Sequence, residues 1–453
     1  GRGSFPAPAR APHRGGRGAM PPPSRGGLGG RLLAACAVAA LAHRTSLPKG
    51  LLRPVPRRAP LLLRELVPHV LDLVPLRYQI ASCDGEALHA TVWGAGGARR
   101  QLHGHTARIN GVAFFPLGDR VLTWSEDGNA IVWDVATGRT LHTLPHDSPA
   151  KRAEVFPGGD RAVVCSGDGA CTVWDVDVAG SPALRVLGGR HRDAAVFAAG
   201  DRVLTWGRAS WAMIWDVDTG GVRCALRAHN FGITAARIFP GDGRVATTSM
   251  EDKTTIIWNA SSCAVMVMLV HSRWVQDMAV VRGGREVVTI DANGWASVWS
   301  AATGERLRVL ERPAPSPQQM FVGLRSFPRD DRLAAISVGG VLIWNATTGE
   351  VAQRFSTSTF WPQGEALAPG GDLFAICGAG RVTVWDPASG RRVAELEEGP
   401  LEAPAEESEP TCSVAIGLGG ALDPDGLGRG LLWRDWPVRR AVSSEPLEHS
   451  TRM

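Results

Sequence analysis

The 453-residue chain holds one tyrosine and only three lysines, Lys49, Lys151 and Lys253, among its 49 basic residues. None of the three stands in a G-K-[ST] context, which excludes a Walker-type phosphate loop. H-E-x-x-H and G-x-S-x-G are also missing, which removes two common hydrolase signatures. No apolar run reaches the length of a transmembrane helix. The eight cysteines stand singly, at 36, 83, 165, 171, 224, 263, 377 and 412, with no C-x-x-C pair for a zinc site or redox motif. Cys165 and Cys171 fall on neighbouring strands, yet two buried free thiols are the preferred expectation, and with them a reducing compartment.

Positive charge is scarce outside the N-terminus. Residues 1–78 carry 13 Arg and Lys against Glu65 and Asp72, a local charge of +11. The overall charge is +5, so the remainder of the chain lies near −6 and has no general attraction for nucleic acid. Residues 1–60, rich in Gly, Pro and Arg, read as a disordered basic leader. Within it the apolar run LLAACAVAALA (32–42) suits a signal-peptide core, and the acid-free flanks suit an organelle transit peptide; an untargeted leader is the third reading. The chain starts at Gly1, and Met20 is an alternative start. A short helix or linker is expected over 61–77, interrupted by Pro68, and an acidic linker over 399–410.

What the chain has in quantity is tryptophan, and it is periodic. Trp93, Trp133, Trp174, Trp215, Trp258, Trp299, Trp344 and Trp385 each end an aliphatic run, at spacings of 40 to 45 residues. Phe115, Phe156, Phe197, Phe239 and Phe327 keep the same beat in strings such as FPLGDR and FPGGDR, and glycine recurs five residues after most of the tryptophans. The unit containing Trp133 divides into four strands, INGVAFF, VLTWS, NAIVWDV and TLHTL, separated by turn residues. Four antiparallel strands in about 41 residues make one propeller blade, which buries its faces only by stacking against others. An all-β propeller over 78–398 follows, with eight blades favoured over seven. In the C-terminal segment 411–453, TCSVAIGLGG (411–420) is placed to supply the missing first strand and latch the ring, ahead of a disordered tail.

Trp-Asp at the end of the third strand, Asp-Gly in the turn before it and Gly104-His105 before the first strand resemble the WD-repeat (WD40) family over roughly 78–398. The resemblance implies a buried hydrogen-bond network in each blade. It assigns His105, Ser125, Asp127 and Trp133 to one network, and His146, Ser166, Asp168 and Trp174 to the next. His229, Asp252 and Trp258 keep three members, and His271, Asn293 and Trp299 a weakened set. Ala209 replaces the Asp expected beside His191, and the blades of Trp344 and Trp385 lack both His and Asp. Such groups are repeated interior copies, whereas catalysis needs one exposed site, so a structural role is expected and no catalytic residue, metal or cofactor is assigned.

Partners are expected at the loops of the channel rim: Arg108, Glu126, Phe231, Glu251, Arg273, Trp274, Phe360 and Trp361, a mixture of large aromatics and charges. Trp124 and Trp206 repeat within the second strand and are expected in the core. Asn259 and Asn345 match the glycosylation sequon but stand where a turn residue is needed. The expected function is a non-catalytic scaffold or adaptor for other proteins, monomeric within a larger complex, cytoplasmic or nuclear unless the leader targets it elsewhere. A propeller enzyme or ligand sensor using the channel, or a fragment of a larger signalling protein, are the alternatives.

Overall fold

The computed structural model describes residues 78–418 apart from 85–87, 95–98, 179, 181, 292–293, 311–320, 338–339, 357–363, 379–380 and 398–411. The leader, the segment 61–77, the acidic linker and the tail beyond Leu418 lie outside the described residues, as do Asn293, Phe360 and Trp361.

Eight four-stranded antiparallel sheets form an eight-bladed propeller. Blade 1 takes three strands from 78–103 and its innermost from Cys412–Leu418; blades 2 to 8 follow as 109–145, 150–187, 193–227, 235–270, 275–309, 321–356 and 364–397. In each blade the strands are lettered a to d from the channel outward. Strand Cys412–Leu418 pairs with Tyr78–Asp84 along its whole length, from Tyr78 opposite Leu418 to Asp84 opposite Cys412. The ring is therefore closed by joining the two ends of the propeller, which removes the open edges of an unclosed sheet array.

The sequence of each strand matches its layer. Strand b of blade 2, Arg120–Ser125, is buried at its last five positions because a neighbouring blade covers each face. Strand d, Thr140–Pro145, has only Leu144 fully inside, as an outer edge strand should. Between blades 2 and 3 one cluster joins Phe115, Leu122, Trp124 and Val132 to Ala162, Val164 and Trp174. Trp124 and Trp206 lie in such interblade cores. Burial of this kind contributes roughly 25 cal/mol per Å² and is the main source of cohesion.

Polar ties close every joint on the side of the ring that carries the a–b and c–d turns. Arg120, Arg161, Arg202, Arg244 and Arg332 each lie over the phenylalanine of their own blade, 4.1 to 4.9 Å from the ring centroid. Each then donates to a backbone carbonyl in the turn of the following blade, as Arg120 does to Gly159 at 2.6 Å and Arg244 to Gly284 at 2.6 Å. Blade 6 carries Glu286 at this position. There Glu286 receives Arg282 at 3.0 Å and Arg308 at 2.5 Å, and Arg308 reaches Ala346 of blade 7. The remaining joints are tied by the Tyr78 hydroxyl to Asp372 at 2.7 Å, between blades 1 and 8, and by Arg100 to the Thr137 carbonyl at 3.1 Å, between blades 1 and 2.

Three disulfides overturn the expectation of free buried thiols: Cys165–Cys171, Cys224–Cys263 and Cys377–Cys412. Cys165 and Cys171 stand directly opposite each other on strands b and c of blade 3, so their side chains share one face. Among the described residues Cys83 alone keeps its thiol outside a disulfide, and that thiol donates to the Ile109 carbonyl at 3.9 Å. Cys263 also stands where other blades have the c–d turn glycine, and it takes the left-handed conformation itself at φ 63°. That conformation is unfavourable for a side-chain-bearing residue, and the bond to Cys224 of blade 4 holds it. Asn259 and Asn345 are turn residues, each accepting two backbone N–H groups from the c–d turn that follows.

Candidate functional site

The buried networks come first, because their residues are the ones that mimic a catalytic triad. In blade 2 the Trp133 indole N–H donates to the Thr123 hydroxyl at 2.8 Å, and Thr123 meets His105 Nε2 at 2.8 Å. His105 Nδ1 then meets Asp127 at 2.8 Å. One proton arrangement satisfies every group: Thr123 donates to Nε2, and Nδ1–H donates to the carboxylate. Blade 5 repeats this with Trp258, Thr247, His229 and Asp252.

The hydroxyl in this chain is Thr123, which corrects the assignment of Ser125. Ser125 lies two residues on, at the end of the strand, and its hydroxyl turns to the carbonyls of Ala107 and Arg108 at 3.0 and 2.8 Å. Blade 3 differs again. Val164 occupies the threonine position, so the Trp174 indole donates straight to His146 Nε2 at 3.2 Å. His146 Nδ1 donates to the Leu144 carbonyl, while Ser166 bonds Asp168, so the four expected members form two separate pairs. In blades 1, 4 and 6 the anchor tryptophan donates to Ser82, Thr205 and Thr289. Blades 7 and 8 have Ala335 and Ile376 there, and Trp344 and Trp385 instead stack on Phe321 and Phe355.

These histidines are unsuited to base catalysis at a surface. Burial lowers the pKa of His105 against the pull of Asp127, and it lowers His146, His191 and His271, the last to about 4. The His105 side chain is wholly shielded from solvent. Neither Ser125 nor Ser166 bonds a histidine, so no Ser–His–Asp relay exists in either blade.

The expected rim residues fall into two groups. Arg108 and Glu126 belong to blade 2, where Glu126 accepts from Lys151 at 2.5 Å. Burial would raise the Glu126 carboxyl, but the hydrogen bonds from Lys151 and Asn110 hold it below its usual value. Phe231, Glu251, Arg273 and Trp274 gather at blades 5 and 6, on the end of the blades that carries the d–a loops and b–c turns. Phe231 is 49% exposed and Trp274 60%. Trp295, which immediately precedes strand c of blade 6 (Ala296–Ser300) and is 44% exposed, joins them at the same end. It was missed because its position reads as part of a turn; the signal was an aromatic four residues before Trp299, where blade 2 has Asn129. Arg273 lies 3.9 Å from Asp291, whose carboxylate also accepts the Trp295 backbone N–H at 2.9 Å.

A second set of charges lies on the innermost strands and was not legible from spacing. Asp277 of blade 6 accepts Arg237 of blade 5 at 2.8 Å and Arg325 of blade 7 at 3.3 Å, and Arg325 pairs with Glu365 of blade 8. Arg152 approaches Asp193 at 3.8 Å. Glu154 faces this group. Its carboxyl is pushed up to about 8, chiefly by burial and further by Asp193, against a Val196 backbone hydrogen bond and Arg237. Burial likewise raises Asp193. A cavity of 230 Å³ opens beside these residues, lined by Arg237, Pro240, Ala279, Val280, Leu324 and Arg325 among others. It is smaller than an ordinary ligand site. Among the described residues no three His, Cys, Asp or Glu side chains are grouped to hold a metal ion, and no helix is long and apolar enough to cross a membrane.

Comparison with known proteins agrees with this anatomy. The family model "WD domain, G-beta repeat" matches residues 96–134 and 220–259. Those two stretches contain His105 to Trp133 and His229 to Trp258, the two complete networks. The chain is similar to NACHT domain- and WD repeat-containing protein 1 of Mus musculus, 23% identical over 202 residues, 44% of this chain and 13% of that protein. It is also similar to the guanine nucleotide-binding protein subunit beta of Solanum tuberosum, 38% identical over 74 residues, 16% of this chain and 20% of the relative. The matched stretches span a fifth or less of these relatives' own lengths. Among solved structures, the computationally designed Ika8 protein superposes with a TM-score of 0.56 at 23% identity, over 65% of this chain and 88% of that one, a likeness of fold alone.

Proposed function

Since the chain belongs to the WD-repeat β-propeller family, we propose that it is a non-catalytic scaffold that binds other proteins through the rim of blades 5 and 6. The observation that carries this reading is the set of exposed aromatics there, Phe231, Trp274 and Trp295, beside Arg273 and Glu251. Large aromatics flanked by charge are the composition of binding hot spots, where one truncation commonly costs 2 kcal/mol or more of affinity. The channel supports the same reading against an enzyme or a ligand sensor. Asp277 and Glu365 are already paired with arginines, which leaves them poorly placed to serve as general bases.

The propeller span 79–398 carries 31 Arg and Lys against 33 Asp and Glu, a near balance that gives no general attraction for nucleic acid and supports protein partners. The disulfides support maturation in an oxidising compartment in preference to the cytoplasm or nucleus. Affinity purification of the full chain, with Arg273→Ala/Trp274→Ala and Trp295→Ala as variants, tests the rim. Loss of the main partners is expected, and a partner set unchanged in both variants rejects this surface.

A further inference from the structure

The Cys377–Cys412 bond stands at the one place where the ring is closed by chain ends. Strand Cys412–Leu418 is the innermost strand of blade 1, and among the described residues its ladder is with Tyr78–Asp84. Its apolar face, Cys412, Val414 and Ile416, packs in one cluster with Ala375, Val382, Val384 and Leu396 of blade 8 and Tyr78 and Ile80 of blade 1. Contacts separated by more than 300 residues must form before the ring shuts, and closure over such a distance is entropically unfavourable. The disulfide joins this strand to strand b of blade 8, Phe374–Gly378, with a sequence separation of 35. Strand a of blade 8 runs beneath the bridge at Gly364. A β-carbon there would lie 2.6 Å from the Cys412 carbonyl oxygen and 3.0 Å from Cys377 Sγ, so the bridge and its glycine form one fitted arrangement.

We propose that Cys377–Cys412 is a redox lock on ring closure. Oxidised, it tethers the closing strand to blade 8; reduced, it lets the strand lift away and uncovers the edge of Tyr78–Asp84 together with the blade 8–blade 1 core. The other bridges do not act on the seam. Cys165–Cys171 lies within blade 3, and Cys224–Cys263 joins blades 4 and 5 across a joint that is continuous in the chain.

The exchange chemistry uses a small-molecule or protein disulfide as oxidant. One of the two thiols, as its thiolate, attacks a sulfur of oxidised glutathione and expels one glutathione thiolate. The second protein thiolate displaces the other. Two protein thiols and one glutathione disulfide thus become one protein disulfide and two glutathione thiols, with two electrons passed to the glutathione and the protons carried on its thiols. A dithiol reverses the step. Cys377 is wholly buried and Cys412 nearly so, so oxidation requires the strand to lift first, and reduction requires local fraying about the bridge, which the tether slows.

The test uses the full chain equilibrated in glutathione buffers from oxidising to reducing. Mass spectrometry of non-reduced peptides follows the 377–412 linkage, and amide hydrogen exchange follows 78–84 and 412–418. Oxidised glutathione is expected to form the linked peptide, and reduction to speed exchange in both segments at least tenfold. Cys377→Ser and Cys412→Ser are each expected to match the reduced parent, while Cys171→Ser leaves both segments as slow as the oxidised parent. Failure of the linkage to form under oxidised glutathione, or equal exchange in oxidised and reduced parent, overturns the lock. Fast exchange in the serine variants without it in the reduced parent also overturns it, since packing and not the bond would then be responsible.

Discussion

Replacing Asp127 with alanine removes three hydrogen bonds at once. Its carboxylate accepts the His105 ring N–H at 2.8 Å, the Thr106 backbone N–H at 2.9 Å and the Asn129 backbone N–H at 2.8 Å. The two backbone donors sit near the surface and can turn to water, so their loss is small, about 0.5 kcal/mol each. The His105 donor cannot, because its side chain is fully buried, and an unsatisfied buried donor costs about 1–3 kcal/mol. The expected loss is about 3 kcal/mol. Asp168 is the equivalent residue one blade on, but it bonds only Ser166 and the Ala170 N–H, and His146 is engaged elsewhere. Asp168→Ala should therefore cost about 1 kcal/mol. Urea unfolding of the two variants beside the parent measures the difference. With a slope of about 3 kcal/mol per M, the midpoint should fall by about 1 M for Asp127→Ala and about a third of that for Asp168→Ala. Equal shifts in the two variants would refute the idea that the histidine contact sets the loss.

Channel ionisation gives a second prediction. The folded-state pKa of Glu154, about 8, lies above its ordinary 4.5, so the folded state holds the proton and stability falls as pH rises through that window. Glu154→Gln should flatten the decline in urea midpoint between pH 6 and pH 9; an unchanged slope counts against it. His271 has the opposite sign: held neutral down to about 4 against an ordinary 6.5, it contributes stability that is lost as pH falls through that range, and His271→Gln should lessen the acid-side loss in a thermal melt series. Arg244→Ala removes both the stack on Phe239 and the tie to Gly284; about 1–2 kcal/mol should be lost, and a melt like that of the parent would show the tie to be idle. Cys263→Gly restores the usual turn residue but breaks the bridge to Cys224, and a net loss of stability under oxidising conditions should turn into a gain under reducing ones, read from melting with and without a dithiol.

The fold was legible because the tryptophan beat reports the blade directly: each anchor must fill the same place between neighbours, whatever else varies. Eight blades of four strands are therefore readable from the sequence. Three features are not. Thr123 and Ser125 share a strand face two residues apart, and only the reach of the indole decides which of them meets His105. The pairing of Cys377 with Cys412 depends on where strand Cys412–Leu418 docks, which no local pattern specifies. Asp277 meets arginines about 40 and 48 residues away on adjacent blades, so the channel cluster becomes visible only once the ring fixes which inner strands are neighbours. At the rim, Phe231 and Trp274 were readable from their loops, whereas Trp295 was hidden inside a turn string.

The belt of ties around the joints has a thermodynamic effect on the far face of the ring. A blade that cannot tilt without breaking a tie on each side holds its loops at fixed mutual spacing. Phe231, Trp274 and Trp295 are then presented as points on a stiff frame, and a partner meets them already arranged. Little backbone freedom is left to freeze on association, so more of the contact free energy survives as affinity. Weakening a joint on the turn side, far from any contact, should thus appear first as a weaker complex with an unchanged interface.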